Sequence, residues 1–454
     1  MKFSPIFKRF AKEIPISVMA RGLMERAFNA KQMDQWFDRH ADNQYTRDLF
    51  FSTLFDIMSL VVSGTYKSVH AAYQNLKDDI GVSVKSVYNK LNGLEPATSA
   101  ELVRYAARQA QPVIEKLGGA QKPLLPGFRI KMLDGNCIEA SHKRIKELRN
   151  ISGGALPGKS LVVYDPALRL PIDVFPCEDG HAQERSLLAD VLTSVQSGDV
   201  WICDRNFCVI SFMFGIAKVA FFIIRQHGNL PWQPAGRMTY AGRVETGRVY
   251  EQPIIVTDEA GNTLKLRRIR IRLDKATRDG DQDIFILTNL PKKDAHAKKI
   301  AALYRNRWKI ETVFQELSEH LNSEINTLGY PSAALFGFCV ALVTYTILST
   351  IKAALSVEHG AQTVEVKVSG YYLADEIEMT YRGMMIAIEK EEWLVFRNAT
   401  PSQLVRLLKQ LAKNVKMSKY LKHPRGPKKP KVKPKIDRKR PHVSTARLIA
   451  NRKK

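Results

Sequence analysis

The chain has 454 residues, a formal charge of +25 and a pI near 9.8, and 45% of its residues are hydrophobic. This length suggests about three domains, and this hydrophobic content is typical of a globular rather than a disordered protein. The charge predicts a polyanionic partner, and nucleic acid and an anionic membrane surface are the two candidates. Five cysteines without a paired CxxC motif argue against a cysteine-based zinc site and favour a reduced setting.

The N-terminal residues carry no apolar core followed by a small-residue cleavage site, so we expect a cytoplasmic, nucleoid-associated protein. The longest apolar run, residues 335–348, is shorter than the about 20 residues that span a bilayer. It therefore predicts a buried helix, and no membrane partner is expected.

Residues 1–125 have the pattern of a helical N-terminal DNA-binding domain. Residues 68–77 predict one helix, residues 79–81 a turn, and Ser83 the cap of a second helix that ends at Gly93. This arrangement is compatible with a helix-turn-helix, although a plain helical hairpin remains an alternative. The residues that would then face a major groove include Lys85, Asn89 and Lys90.

Residues 126–355 have a different pattern, in which three β-rich runs are followed by a helix, a strand, a helix and a strand. This is the order of an RNase H-like fold. Asp134 and Asp204 follow apolar, strand-like runs, and this fold brings such strand ends together at the centre of the sheet. Residues 228–282 have Gly, Pro and polar turns around short strands and predict a β-rich insertion.

Residues 303–321 predict one amphipathic helix. Tyr304, Arg307, Glu311 and Ser318 recur at steps of three, four and seven residues, which keeps them on nearly one face. A carboxylate beside a guanidinium suits a metal site that handles phosphate, because arginine binds phosphate oxygens bidentately. An ordinary amphipathic helix with a solvated charged face is the alternative.

Two strand-end aspartates and one helical glutamate form a set suited to a two-metal nuclease. Asp134, Asp204 and Glu311 offer the oxygen ligands that Mg²⁺ prefers, and Mn²⁺ can substitute for it. Two such ions stabilise the attacking and leaving oxygens of an in-line phosphoryl displacement. These three residues are therefore the candidate catalytic and metal-binding residues.

With these motifs the sequence resembles the DDE transposases of the insertion sequence 4 family. That family carries Tyr-(2)-Arg-(3)-Glu-(6)-Lys with a tryptophan after the arginine, and an Asp-Arg-x-Phe motif at the second aspartate. The residues that match the first motif are Tyr304, Arg307, Trp308 and Glu311, and those that match the second are Asp204, Arg205 and Phe207. Asp134 opens an Asp-Gly turn as in the family, whereas Ser318 stands where the family has lysine. The resemblance covers roughly residues 125–355.

The resemblance implies a cut-and-paste transposase that cuts the ends of its insertion sequence and joins the 3′-ends to target DNA. Its partners would be the terminal inverted repeats and target DNA, and the catalytic unit would be a homodimer on paired ends. The residues implied to contact DNA near the catalytic carboxylates are Tyr304, Arg307, Trp308 and Arg205. The insertion would carry further DNA contacts, although a solvated basic face remains the alternative there. Two other functions stay open, a degenerate transposase that only binds DNA and an RNase H-like nuclease without strand transfer.

The C-terminal part divides into two regions of different composition. Residues 356–412 predict a helical C-terminal region without assignable chemistry. Residues 413–454 form a basic Pro/Lys-rich tail, in which proline and charge repulsion predict a disordered, extended chain that neutralises phosphates. The sequence therefore predicts an α/β protein with an RNase H-like catalytic core, a β-rich insertion, helical regions on both sides and a disordered basic tail.

Overall fold

The computed structural model describes residues 3–44, 48–277, 280–423 and 442–452. Its first part is helical, as predicted. The helices are α1 (Pro5–Glu13), α2 (Pro15–Ala27), α3 (Ala30–His40), α4 (Phe51–Val62), α5 (Val69–Ile80), α6 (Val84–Asn92) and α7 (Pro96–Leu117).

The predicted pair of short helices is present as α5 and α6. The hydroxyls of Ser68 and Ser83 accept hydrogen bonds from backbone N–H groups in the first turns of these helices. Gly81 ends α5 in the left-handed conformation, with φ of +67°, which glycine adopts without steric cost. The serine caps predicted for this pair are confirmed, whereas the turn predicted at residues 79–81 begins only at Gly81, because Asp79 and Ile80 still belong to α5. The binding of DNA by this pair stays a prediction.

A mixed β-sheet follows and forms the centre of the chain. Its strands are β1 (Arg129–Cys137), β3 (Lys159–Asp165), β4 (Leu170–Cys177), β5 (Asp199–Cys203), β6 (Phe221–Arg225), β7 (Gln233–Pro234), β8 (Thr239–Val244), β9 (Gly247–Thr257), β10 (Thr263–Leu273) and β11 (Asp283–Thr288). The strand order is β4-β3-β1-β5-β6-β11-β10-β9-β7, and β8 pairs with β9. A short strand, β2 (Ala155–Leu156), lies outside this sheet.

The pairing around β1 explains how the sheet positions its polar residues. β1 is antiparallel to β3 and parallel to β5, and β5 is parallel to β6. Two helices, α8 (Leu188–Leu192) and α9 (Ile210–Ala217), lie between these parallel strands in sequence. The predicted succession of three antiparallel strands, helix, strand, helix and strand is therefore present.

The insertion is β-rich, as predicted, and it extends the same sheet. β11 pairs antiparallel with β6, and β10 and β9 continue outward from β11. The insertion also packs against the next helix, α10 (Ala297–Arg305), through β8 and β9. It is therefore positioned beside the residues that follow α10.

The prediction of one helix over residues 303–321 is wrong. α10 ends at Arg305, and a second helix, α11 (Trp308–His320), begins after a tight turn at Asn306 and Arg307. The backbone N–H groups of Asn306 and Arg307 bond carbonyls three residues back, which marks a locally tightened helical turn. Tyr304 therefore lies on α10, whereas Glu311 lies on α11.

A long apolar helix, α12 (Pro331–His359), lies at the centre of the helical layer. It is long and apolar enough to cross a membrane, but 94% of its most apolar window is buried inside the fold. The prediction of a buried helix at this position is therefore confirmed. α12 packs against α7, α4 and β4, so helices from both sides of the sheet region in sequence share one core.

The C-terminal helices are α13 (Ala361–Lys367), α14 (Gly370–Ala387), α15 (Leu394–Arg397) and α16 (Pro401–Lys413). They agree with the predicted helical region. The predicted disorder of the tail is wrong for its described part. Residues 442–452 form a strand, β12 (Val443–Ser444), and a helix, α17 (Thr445–Arg452), whereas residues 424–441 lie outside the described residues.

The order at the C-terminal segment has a local cause. β12 pairs in parallel with β2, and Thr445 is fully buried. Arg447 then donates a hydrogen bond of 2.8 Å to Asp179, in the loop after β4. Paired backbone, a buried side chain and an ion pair together outweigh the charge repulsion on which the sequence prediction relied.

Candidate active site

The register of β1 and β5 brings two aspartates together. Leu133 and Cys203 are direct partners across these parallel strands. The next residues, Asp134 and Asp204, therefore leave the paired region side by side and on the same face of the sheet. β1 continues beyond Asp134 and pairs there with β3 alone, so Asp134 lies within a strand, whereas Asp204 directly follows one.

Arg307 joins the first aspartate to the glutamate of α11. Its Nη1 lies 3.0 Å from Oδ2 of Asp134, and its Nη2 lies 2.6 Å from Oε1 of Glu311. The Arg307 side chain is 11% exposed and that of Asp134 is 18% exposed, so this link is largely removed from water. The structure thus brings together residues that are far apart in the sequence.

Asp134 is the carboxylate whose protonation the site changes most clearly. Its pKa is raised to about 7, mainly by burial; the Arg307 guanidinium opposes this rise, and the negative charges of Asp204 and Glu311 add to it. Its Oδ1 accepts a hydrogen bond from the backbone N–H of Gly135 at 3.0 Å. Asp134, Asp204 and Glu311 are therefore close enough to interact electrostatically, with one arginine as counter-charge.

Tyr304 and Trp308 flank Arg307 on its two helices. Tyr304 is 9% exposed, and burial raises the pKa of its phenol while Arg307 lowers it. Trp308 is 63% exposed, and its ring lies 5.7 Å from the Arg307 guanidinium carbon. A buried phenol and an exposed aromatic ring thus both lie close to the arginine.

The carboxylates suit a hard divalent cation by their chemistry, because all three offer oxygen ligands. Within the described residues, however, no three or more His, Cys, Asp or Glu side chains are close enough together to hold a metal ion. The guanidinium of Arg307 contacts both Asp134 and Glu311 in this structure. The negative charge that raises the pKa of a buried carboxyl would be neutralised by a bound cation. The charge of this site therefore suits a cation.

Residues 129–345 match the family model described as a transposase DDE domain. This range includes the two aspartates, Arg307 and Glu311. The chain is 28% identical over 205 residues to "Putative transposase y4zB" of Sinorhizobium fredii, a match covering 43% of this chain and 54% of that protein. It is 23% identical over 229 residues to "Transposase for insertion sequence element IS421" of Escherichia coli, covering 43% of this chain and 58% of that protein. The chain thus spans somewhat more than half the length of these curated relatives.

A further carboxylate of this DDE region escaped the sequence analysis. Glu184 accepts a hydrogen bond from the side-chain amide of Asn206, and the backbone N–H of Asn206 donates to Asp204 Oδ1 at 2.6 Å. A Cβ on Gly135 would lie 2.1 Å from Oε1 of Glu184, so this carboxylate touches the residue after Asp134. Asn206 occupies the variable position of the Asp-Arg-x-Phe motif. A polar residue at this position was the sequence signal that could have led to Glu184.

The remaining residues proposed for DNA binding lie on different surfaces. Arg205 is exposed in the turn after Asp204. Lys85 and Asn89 are exposed on α6, whereas Lys90 turns inward. Lys90 donates a hydrogen bond of 2.8 Å to the Leu49 carbonyl and is partly buried, and its contact with a major groove stays a prediction. The contacts of Lys90 lie in the helical region and not at the carboxylates.

A cavity of about 630 Å³ opens beside Arg307, between the insertion and the helices α10 and α11. Tyr304, Arg307 and Trp308 line one side of it, and Thr246 and Lys275 of the insertion lie among the residues on the other. Arg305 of α10 forms an ion pair with Glu245, which joins the insertion to this helix. The insertion therefore forms a wall of the candidate site.

Proposed function

We propose that the protein is a DNA transposase that cuts the ends of its insertion sequence and joins the 3′-ends to target DNA. The observation that carries this proposal is that Asp134 and Asp204 follow in-register partners of neighbouring strands, while Arg307 joins Asp134 to Glu311 of α11. The similarity of residues 129–345 to transposase DDE domains supports the same function. The +25 charge favours a nucleic-acid partner.

The core of this transposase would be RNase H-like. The order β4-β3-β1-β5-β6, with β1 antiparallel to β3 and parallel to β5, supports this assignment. Asp134, Asp204 and Glu311 would hold divalent metal ions. These would be Mg²⁺, for which Mn²⁺ can substitute. When bound, the metal neutralises charge that develops on the attacking and leaving oxygens of the phosphodiester.

The other residues of the site would bind and orient DNA. Arg307 can exchange its carboxylate partners for phosphate oxygens, because a guanidinium group can bind a carboxylate or a phosphate through two parallel hydrogen bonds. Tyr304, which is buried beside Arg307, would hold the guanidinium in place. Trp308 offers an exposed ring on which a base can stack. Arg205, which is exposed directly after Asp204, would contact the neighbouring DNA strand.

The unit that acts on DNA would be a homodimer, in which each chain holds one terminal inverted repeat. The family resemblance of the motifs is the basis for this part of the proposal. An intracellular, nucleoid-associated location would follow from binding to DNA. Analytical ultracentrifugation of the protein with a duplex that carries one end would test the stoichiometry, and one chain per complex would contradict it.

The deciding experiment is cleavage and strand transfer on a DNA duplex with the imperfect inverted repeats that flank the coding sequence. We expect Mg²⁺-dependent nicking at the end and joining of the 3′-end to a second duplex by the natural chain. Glu311→Gln should abolish both steps while end binding persists, and Glu319→Gln on the same helix is the matched control. Cutting without joining would favour a nuclease, and tight binding without cutting would favour a degenerate DNA-binding protein.

A further inference from the structure

A second polar cavity lies beside α11, away from the site described above. It has a volume of about 230 Å³ and lies between the β3–β4 turn and the helices α11, α12 and α13. Four cations from four parts of the chain line it, namely Arg169, Lys309, Lys352 and Lys422. Two carboxylates, Glu316 and Glu365, also line it, so positive charge exceeds negative charge by two.

The carboxylates neutralise only part of this charge. Lys352 Nζ lies 3.1 Å from Oε2 of Glu316, and this pair forms part of the cavity wall. Arg169 Nη2 lies 2.9 Å from Oε2 of Glu365. This approach lacks hydrogen-bond geometry, and the buried Nη2 is left without a hydrogen-bond partner. A buried donor without a partner is costly, which indicates that a ligand atom can satisfy it.

Arg169 also has an unusual backbone conformation. Its φ is +59°, and it is the only non-glycine residue with a positive φ in the described part of the chain. This left-handed region favours glycine, because a Cβ there meets the backbone. An arginine in a position suited to glycine stores strain, and such strain concentrates at functional sites. The geometry of the turn therefore does not explain why an arginine occupies this position, and we look for the explanation in the contacts of its side chain.

Lys309 adds a cation without a counter-charge. Its side chain makes no hydrogen bond or ion pair to the residues that the structure describes, and it is only half-buried. It precedes Glu311 by two residues on α11, and Thr312 of the same helix contributes to the cavity wall. A ligand bound here would therefore contact the helix that carries the glutamate of the candidate active site.

We propose that this cavity is a phosphate-binding site in which Arg169 and Lys309 hold the anion. Its volume accommodates a phosphate group, the guanidinium supplies paired donors, and the ammonium supplies a mobile point charge. The phosphate can come from free anion or from the DNA backbone. The DNA source rests on the proposed function, whereas the binding of inorganic phosphate does not.

The test compares the natural chain with Arg169→Gly, and Arg406→Ala is the control because Arg406 is an exposed arginine on α16. Inorganic phosphate, titrated against chloride at constant ionic strength, should raise the Tm of the natural chain and of the control by several degrees. Arg169→Gly should lose this rise while its Tm without phosphate stays equal or increases, because glycine relieves the left-handed strain. An arginine with a purely structural role would instead leave the phosphate response intact and lower the Tm.

The DNA arm measures how the affinity for an end duplex depends on salt. Loss of one phosphate contact should lower the slope of log K against log salt by about one in Arg169→Gly and also in Lys309→Ala. A phosphate response with an unchanged slope would identify free anion as the ligand, and a changed slope alone would identify the DNA backbone. Equal phosphate responses and equal slopes in all variants would overturn the proposal. Lys309→Ala keeps the test decisive if Arg169→Gly does not fold.

Discussion

Nη1 of Arg307 lies 3.0 Å from Oδ2 of Asp134, so an ion pair joins the start of α11 to β1 of the sheet. The same guanidinium also contacts Glu311. It therefore organises two carboxylates that come from different layers of the fold. Because this contact is largely buried, its removal leaves unpaired negative charge in a site that excludes most water.

Arg307→Ala should lower the free energy of unfolding by about 3 kcal/mol, the range for breaking one partner out of a buried ion pair. Urea denaturation at pH 8 without divalent metal would measure this loss. Arg305→Ala is the control, because Arg305 is 54% exposed and pairs with Glu245 at the surface. It should cost at most about 1 kcal/mol. Equal losses in the two variants would show that the Arg307 contacts contribute no more than a surface pair.

The stability of the metal-free protein should fall as pH rises from about 4 to about 7. The pKa of Asp134 is raised from 3.8 to about 7 in the folded state by burial and then by the Asp204 and Glu311 charges, against Arg307. Between these values the folded state binds more protons than the unfolded state, so deprotonation favours unfolding. Three pKa units correspond to at most about 4 kcal/mol. This is an upper limit because the carboxylates titrate together.

Asp134→Asn provides the comparison, because asparagine cannot titrate. Its unfolding free energy should depend less on pH over the same window than that of the natural chain. Chemical denaturation at a series of pH values would measure both curves. Parallel curves would show that Asp134 titrates normally in the folded state.

The sequence predicted the parts of the site that depend on strand order and helical spacing. Asp134 and Asp204 follow strong apolar runs, and Arg307 and Glu311 are separated by one helical turn. Residues whose position depends on tertiary contacts escaped prediction. Glu184 lies in a stretch of helical pattern and reaches the site only because Asn206 binds it. Lys90 lies at a position of α6 that would face DNA in a helix-turn-helix, but its ammonium group donates a hydrogen bond to the Leu49 carbonyl.

The same distinction explains the other differences. The turn at Asn306 and Arg307 preserves helical dihedral angles, so the residue pattern of one helix continues across the break. The C-terminal segment has the composition of a disordered tail, and its order depends on β2, a two-residue strand without a sequence signal. Composition and periodicity report local preference, whereas these features depend on partners that are distant in the sequence.

Gly135→Ala should reduce DNA cleavage much more than stability. The new methyl group would meet the Glu184 carboxylate, which is the far end of a flexible side chain and can move away. Movement of Glu184 would release Asn206, whose backbone N–H donates to Asp204. We expect a loss of about 1 kcal/mol or less in unfolding free energy and at least a tenfold loss in cleavage rate.

The double variant Gly135→Ala with Glu184→Ala shows whether the new methyl group slows cleavage through its contact with Glu184 or independently of it. If the methyl group acts only through Glu184, the second substitution adds little to the loss of cleavage caused by the first. Additive losses would show that Gly135 and Glu184 affect the reaction independently. Rates of end cleavage with excess Mg²⁺, measured for all four proteins, complete this comparison.

Two substitutions at Thr445 should act in opposite directions on the C-terminal segment. Thr445 is fully buried, and its hydroxyl has no hydrogen-bond partner among the described residues. Thr445→Val keeps the shape and removes the unsatisfied group, so it should stabilise the docked segment by about 1 kcal/mol. Thr445→Asp would bury a charge and should detach β12 from β2.

Hydrogen exchange of the peptides that contain β2 and α17 should slow in the first variant and accelerate in the second. Equal exchange in both would mean that Thr445 does not hold this segment, leaving the Arg447–Asp179 contact as its main anchor.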